Sequence, residues 1–87
     1  MTVIMITAIW CPSCIIMRSR YTELFKNIDV QITEYDFDDD SELIQPLKIG
    51  SILPVVIFKD NNQEVLRIVG EKSKKELHIL TEGLKKL

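Results

Sequence analysis

Apolar residues occupy almost every position between residues 3 and 9, and several of them are β-branched. Such a run is typical of a central strand that is covered on both faces. The pattern then changes to a spacing of three and four residues, at Cys14, Met17, Tyr21, Leu24 and Ile28. This spacing predicts an amphipathic helix that has Pro12 in its first turn and ends near Asn27.

A second strand is predicted over residues 30–37, where apolar and polar residues alternate well enough for a half-buried strand. Its apolar members are Val30, Ile32, Tyr35 and Phe37. A short helix follows from Ser41 to about Leu47, capped by the aspartates before it and disturbed by Pro46.

Two further strands are predicted over residues 53–58 and 64–69. Between them Asn61-Asn62 can adopt the left-handed conformations that a tight hairpin turn needs. A last helix follows a capping box that runs from Ser73 to Glu76. Its apolar stripe consists of Leu77, Leu80, Leu84 and Leu87.

The order of these elements is βαβ, a short helix, then ββα. A strand–helix–strand unit implies a parallel strand pair with a right-handed crossover. The predicted fold is therefore α/β, with a four-stranded mixed sheet and helices on both faces. The chain has 87 residues, so we expect one domain over residues 1–87.

Composition and charge argue against several functional classes, among them nucleic-acid-binding and membrane proteins. The chain is 46% hydrophobic and 28% charged, as in globular proteins, and its net charge is −2. A basic stripe typical of nucleic-acid binding is missing, and no segment is long enough to span a membrane. The N-terminus shows no secretory signal, and the two cysteines are too close in sequence to join distant parts of a domain. We therefore expect a monomer in the reducing cytoplasm.

The residues Cys11-Pro12-Ser13-Cys14 stand where the first strand passes into the first helix, and they include both cysteines of the chain. Unpaired backbone N–H groups and the positive end of the helix dipole favour a thiolate there. Thiol–disulfide exchange needs such a thiolate and a second thiol that resolves the mixed disulfide. We expect Cys11 to be the nucleophile at an exposed tip and Cys14, one turn further, to be the more buried resolving thiol.

Three other interpretations of the cysteine pair remain open. A zinc site would need two more ligands, and His78 on the last helix is the one histidine that could contribute. Two thiolates per chain could instead hold an iron–sulfur or copper site shared between two subunits. The cysteines could also be inert core residues. Redox exchange explains the strand–CxxC–helix context best, and it requires neither a metal nor an organic cofactor.

Three segments of the chain resemble the thioredoxin superfamily: Trp10-Cys11-Pro12-Ser13-Cys14, Leu53-Pro54 and Val69-Gly70. The resemblance implies a cis-proline at Pro54 that faces the cysteines. It also implies that the backbone of Leu53 pairs with an extended substrate segment, in the manner of strand addition. Trp10, Leu53 and Gly70 would form a flat apolar patch beside Cys11, with Pro12 and Ser13 also at the substrate site.

Different segments of the chain resemble different branches of the superfamily. Glutaredoxins carry a Thr-Val-Pro segment and a Gly-Gly-x-Asp stretch, where this chain has Ile52-Leu53-Pro54 and Val69-Gly70-Glu71-Lys72. A proline directly after the first cysteine, by contrast, resembles glutaredoxins. We expect an enzyme that reduces protein disulfides with a thioredoxin-reductase-type electron donor. The alternative is a glutathione-dependent, glutaredoxin-like enzyme.

One departure from thioredoxins concerns the resolving step. Thioredoxins bury an aspartate six residues before the first cysteine, where it helps to deprotonate the resolving thiol, and this chain has Met5 there. Either water or Asp36 would then accept the proton of Cys14, and we favour water. Arg18 could supply positive charge one turn after Cys14, but an arginine on an exposed helix is usually only solvated.

Overall fold

The computed structural model describes the backbone of residues 1–86 and the side chains of residues 1–84. Strand β1 (Thr2–Thr7) leads into helix α1 (Pro12–Leu24), which is followed by strand β2 (Gln31–Asp36). Helix α2 (Ser41–Ile44) continues as a 3₁₀ turn over Gln45–Leu47. Strands β3 (Val55–Asp60) and β4 (Gln63–Val69) precede helix α3 (Lys74–Thr81) and a 3₁₀ segment over Glu82–Lys86.

The four strands form one mixed sheet in the order β2-β1-β3-β4. Strand β1 pairs with β2 in parallel and with β3 in antiparallel orientation, and β3 pairs with β4 in antiparallel orientation. The predicted hairpin turn is confirmed, since Asn61 and Asn62 have φ angles of 53° and 65°. Both values lie in the left-handed region that a two-residue hairpin turn requires.

The core divides between the two faces of the sheet because successive strand residues point to opposite sides. Val56 and Phe58 of β3 belong to a cluster with residues of α1 and α3, whereas Val55 and Ile57 belong to a cluster that contains Ile44 of α2. Helices therefore cover both faces. The predicted α/β class and four-stranded mixed sheet are confirmed.

The predicted boundary of the first strand is wrong at its C-terminal end. The strand ends at Thr7, and Ile9, inside the predicted run, is 91% exposed. The first helix likewise ends at Leu24 rather than near Asn27. In the second strand Ile32 is exposed, because β2 is the edge of the sheet and the part of it around Ile32 is not covered.

The capping box that begins α3 is confirmed. The Glu76 N–H donates to the Ser73 hydroxyl at 3.1 Å, and the Ser73 N–H donates to the Glu76 carboxylate at 3.3 Å. The predicted apolar stripe of this helix is wrong at Leu80, which is exposed, whereas Thr81 is buried. The Thr81 hydroxyl can be buried since it donates to the Leu77 carbonyl at 2.7 Å. Leu87 lies outside the described residues.

Among the described residues, none of the helices has the length and apolar character needed to cross a membrane.

Candidate active site

Cys11 is the N-cap residue of α1, directly before Pro12. Its N–H donates to the Ala8 carbonyl at 3.2 Å, which closes the turn between β1 and the helix. The backbone of Cys11 is extended, and its Sγ accepts a hydrogen bond from the Cys14 N–H at 3.1 Å. The sulfur therefore occupies the position in which an N-cap side chain normally satisfies a free helix N–H group.

The expectation that Cys11 stands at an exposed tip is wrong. Cys11 is only 6% exposed and Cys14 is 3% exposed, and both are free thiols. Cys11 is covered because it packs in one cluster with Ala8, Leu53 and Val55. Only a small part of Cys11 is therefore accessible to a substrate disulfide.

Burial raises the pKa of the Cys14 thiol from an ordinary 9.0 to about 11, and its hydrogen bond with the Cys11 side chain acts in the same direction. The backbone of Ala8 and the positive charge of Arg18 act in the opposite direction. A pKa raised in this way keeps the Cys14 thiol protonated at pH 7. Cys14 is therefore protonated in the resting protein and must lose its proton before it can act as a nucleophile.

The loop around the cysteines is held by two side-chain hydrogen bonds. The Trp10 indole N–H donates to the Asp38 carboxylate at 2.7 Å, and its ring meets the Phe37 ring edge-on, with centroids 6.0 Å apart. The Ser13 hydroxyl donates to the Glu71 carboxylate at 3.1 Å. The Trp10 ring nevertheless remains more than half exposed. It combines a fixed orientation with an accessible apolar surface.

The Leu53–Pro54 peptide bond is cis, as the resemblance implies. The Gly70 N–H donates to the Pro54 carbonyl at 2.8 Å, so this loop is tied to the end of β4. Gly70 has a φ of 83°, and a Cβ at this position would lie 3.1 Å from Ile52 Cγ2. Glycine therefore suits both the left-handed backbone and the close approach of Ile52.

The predicted flat patch of Trp10, Leu53 and Gly70 is wrong for two of its members, because Leu53 and Gly70 are buried. Leu53 packs inward with the cysteines. Trp10 is exposed, and the other exposed apolar side chains in these loops are Ile9 and Ile52, which were not among the predicted site residues. Their positions in the sequence could have identified them, because Ile9 directly precedes Trp10-Cys11 and Ile52 directly precedes Leu53-Pro54.

A cavity of about 160 Å³ adjoins Cys14, between α1 and the ends of β1 and β2. Asp36 lines it, but each of the Asp38 and Asp39 N–H groups donates to the Asp36 carboxylate at 2.9 Å. Met5, at the position where thioredoxins have the aspartate, is buried in the core.

In the described part of the chain, no three His, Cys, Asp or Glu side chains are grouped to hold a metal ion.

The family model for thioredoxin matches residues 1–82. The chain belongs to the thioredoxin family. It is 35% identical over 77 residues to an H-type thioredoxin of Fagopyrum esculentum, and this match covers 87% of the chain and 66% of that protein. The chain thus spans slightly less than two thirds of the length of this curated relative.

Solved structures of thioredoxins and thioredoxin-like proteins agree with this fold. The Trxlp protein of Edwardsiella tarda EIB202 superposes with a TM-score of 0.81 at 28% identity, over 91% of this chain and 80% of that chain. Oxidised thioredoxin O2 of Arabidopsis thaliana gives a TM-score of 0.78 at 29% identity, over 95% and 73% of the two chains. The predicted membership of the thioredoxin superfamily is confirmed.

Proposed function

We propose that this thioredoxin-family protein is a thiol–disulfide oxidoreductase that reduces disulfide bonds in other proteins. One observation carries the proposal: the Cys11 sulfur caps α1 and accepts the Cys14 N–H at 3.1 Å, with the free Cys14 thiol on the first turn of the same helix. Both the backbone donor and the helix N-terminus stabilise negative charge on the Cys11 sulfur. Membership of the thioredoxin family supports the same chemistry.

The proposed reaction has two exchange steps. The Cys11 thiolate attacks one sulfur of the substrate disulfide, a Cys11–substrate bond forms, and the other substrate sulfur leaves and takes a proton from solvent. Cys14 then loses its proton and attacks the Cys11 sulfur. A Cys11–Cys14 disulfide forms, and the second substrate sulfur leaves. The substrate gains two electrons and two protons, and the enzyme is left oxidised.

The exposed side chains of Ile9, Trp10 and Ile52 support a protein substrate rather than a small disulfide. They provide apolar surface near a buried nucleophile, which suits an extended polypeptide that carries the disulfide to Cys11. The proposal also retains pairing between the substrate backbone and Leu53, with Pro12 and Ser13 at the edge of the contact. Pro54 and Gly70 are buried, and their role is to hold this loop through the hydrogen bond from the Gly70 N–H to the Pro54 carbonyl.

The catalytic cycle requires a reductant that returns the Cys11–Cys14 disulfide to two thiols. We assign this role to a thioredoxin-reductase-type donor and place the reaction in a reducing compartment, the cytoplasm. The active unit is a monomer in this proposal, because one chain supplies both cysteines.

Insulin reduction with two donor systems tests the proposed function. One assay contains NADPH and thioredoxin reductase, and the other contains NADPH, glutathione and glutathione reductase. We expect turnover with the first donor system. Turnover with glutathione alone would establish the glutaredoxin-like alternative, and no turnover with either donor would contradict the proposed activity.

Replacing Cys14 with serine should trap the intermediate. In C14S the first exchange still joins Cys11 to substrate, but no thiol follows to resolve the bond. We expect insulin to accumulate as an adduct in about one-to-one ratio, visible by mass spectrometry under non-reducing conditions and released by dithiothreitol.

The matched control for this trap is C11S, in which the buried and protonated Cys14 should form little adduct. Equal trapping by C11S and C14S would contradict the assignment of the two cysteines to different roles.

A further inference from the structure

The resolving step requires that the buried Cys14 thiol loses its proton, and the residues around the cavity beside it determine how readily that happens. At about 160 Å³ the cavity has room for several water molecules, since each needs about 30 Å³. Its lining includes Thr7, Cys14, Arg18, Glu34 and Asp36. Water can therefore reach Cys14 through this cavity, whose rim also includes the exposed Ile9 of the substrate surface.

Arg18 lies four residues after Cys14 on α1, so the two side chains share one face of the helix. Its guanidinium donates two hydrogen bonds to the Glu34 carboxylate, at 2.7 Å and 2.6 Å. The Thr7 hydroxyl also donates to Glu34, at 2.8 Å. Since two parallel bonds hold a guanidinium in a defined orientation, Arg18 is fixed at the cavity although its side chain is 54% exposed.

Strand β1 provides no carboxylate beside Arg18, because none of its residues is Asp or Glu. Met5 is the register partner of Glu34 in the parallel β1–β2 pair, and it offers no proton acceptor. Of the two β2 carboxylates that line the cavity, Glu34 is bound to Arg18 and Asp36 accepts hydrogen bonds from two backbone N–H groups. Hydrogen bonding to Arg18 lowers the pKa of the Glu34 carboxyl, so Glu34 is ionised and is a poor base for the Cys14 proton.

We propose that Arg18 is a positioning residue for the resolving step, which stabilises the Cys14 thiolate across the cavity while water accepts the proton. The inference rests on the proposed function and adds the group that promotes its second exchange. In the mixed disulfide Cys11 is uncharged, because its sulfur is bonded to substrate. The Cys14 thiolate then attacks the Cys11 sulfur, and the substrate sulfur leaves with the electron pair of the broken bond.

The charged and titratable groups that face Cys14 are few. Cys11 and Arg18 approach it from its own helix, and Glu34 and Asp36 approach it from β2 through the shared cavity. Burial has the largest effect on the pKa of the Cys14 thiol and raises it, whereas Arg18, the cation of this group, acts to lower it. Loss of the guanidinium should therefore raise that pKa and move the pH profile of the resolving step to higher pH.

A stopped-flow experiment with dithiodipyridine tests the inference. Attack by Cys11 releases the first pyridinethione, and resolution by Cys14 releases the second, so the two steps give separate absorbance phases. The reagent is neutral and is not drawn to Arg18 by charge. For R18Q we expect an unchanged first phase, a second phase slower by roughly threefold to tenfold at neutral pH, and a profile displaced upward by roughly 0.5 to 1 pH unit.

Two variants serve as controls. R18K keeps the positive charge and should recover most of the second-phase rate. R67Q removes the arginine of an equivalent pair on β4, whose guanidinium lies 2.7 Å from Glu64, and it should behave as wild type.

An R18Q second phase with the wild-type rate and pH profile would overturn the inference. A slower phase with an unshifted profile and no recovery in R18K would overturn it as well, because it would show a structural role. If wild type releases only one pyridinethione, the proposed function fails instead.

Discussion

Insulin reduction by the C11S variant should not exceed the rate without enzyme. A serine hydroxyl is not appreciably ionised near neutral pH, so it cannot replace the thiolate in the first exchange. Cys14 cannot take over, because its burial, the largest cause that raises the pKa of its thiol, persists in this variant and keeps it protonated. The measurement is NADPH-coupled turnover at pH 7 with the donor that supports the wild-type protein.

Loss of folding would not explain this result. Serine is a good N-cap residue, so the hydrogen bond that the Cys11 sulfur now accepts from the Cys14 N–H can pass to a hydroxyl oxygen. Far-UV circular dichroism and the urea midpoint of C11S should match wild type within error. Substantial turnover by C11S, at any level that rises with enzyme concentration, would refute the assignment of Cys11 as the nucleophile.

The largest expected effect on stability comes from Ile57→Ala. Ile57 is 0% exposed at the centre of β3, a strand that pairs with β1 on one side and β4 on the other. Removing its side chain costs the transfer free energy of the lost methyl and methylene groups and leaves a cavity, in total about 2–5 kcal/mol. A domain of 87 residues has a free energy of unfolding of only about 4–13 kcal/mol.

Urea unfolding followed by far-UV circular dichroism measures this loss, and the midpoint should fall with little change in the m-value. Ile79→Ala is the matched control, because it makes the same chemical change at a residue of α3 that is 62% exposed. Its free energy of unfolding should stay within about 0.5 kcal/mol of wild type. A similar loss in both variants would contradict the described core.

The elements of the fold were predictable because their signals are local. The apolar run at the start of the chain, the Asn61-Asn62 turn and the Ser73 capping box each depend on residues a few positions apart. The errors lie at element ends and edges. Ile9 is outside β1, and Ile32 is exposed on β2, because only the assembled sheet shows which strand is at an edge.

The candidate site was predictable in part. The position of Cys11 before α1 follows from Pro12 and the preceding strand, and the structure has it as the N-cap residue. Its burial was not predictable, since the cover includes Leu53 from the distant loop before β3. The sequence pattern predicts only a solvated side chain for Arg18. Its partner Glu34 is 16 residues away and meets it only through the pairing of β1 with β2.

The amino-acid sequence by itself determined the order of strands and helices and the placement of both cysteines at a helix N-terminus. Those features depend on backbone preferences and hydrogen bonds between near neighbours. The tertiary structure alone decided that Cys11 is covered and that Arg18, Glu34 and Cys14 share a cavity. Burial and charge act through space, so they depend on which distant segments the fold brings together.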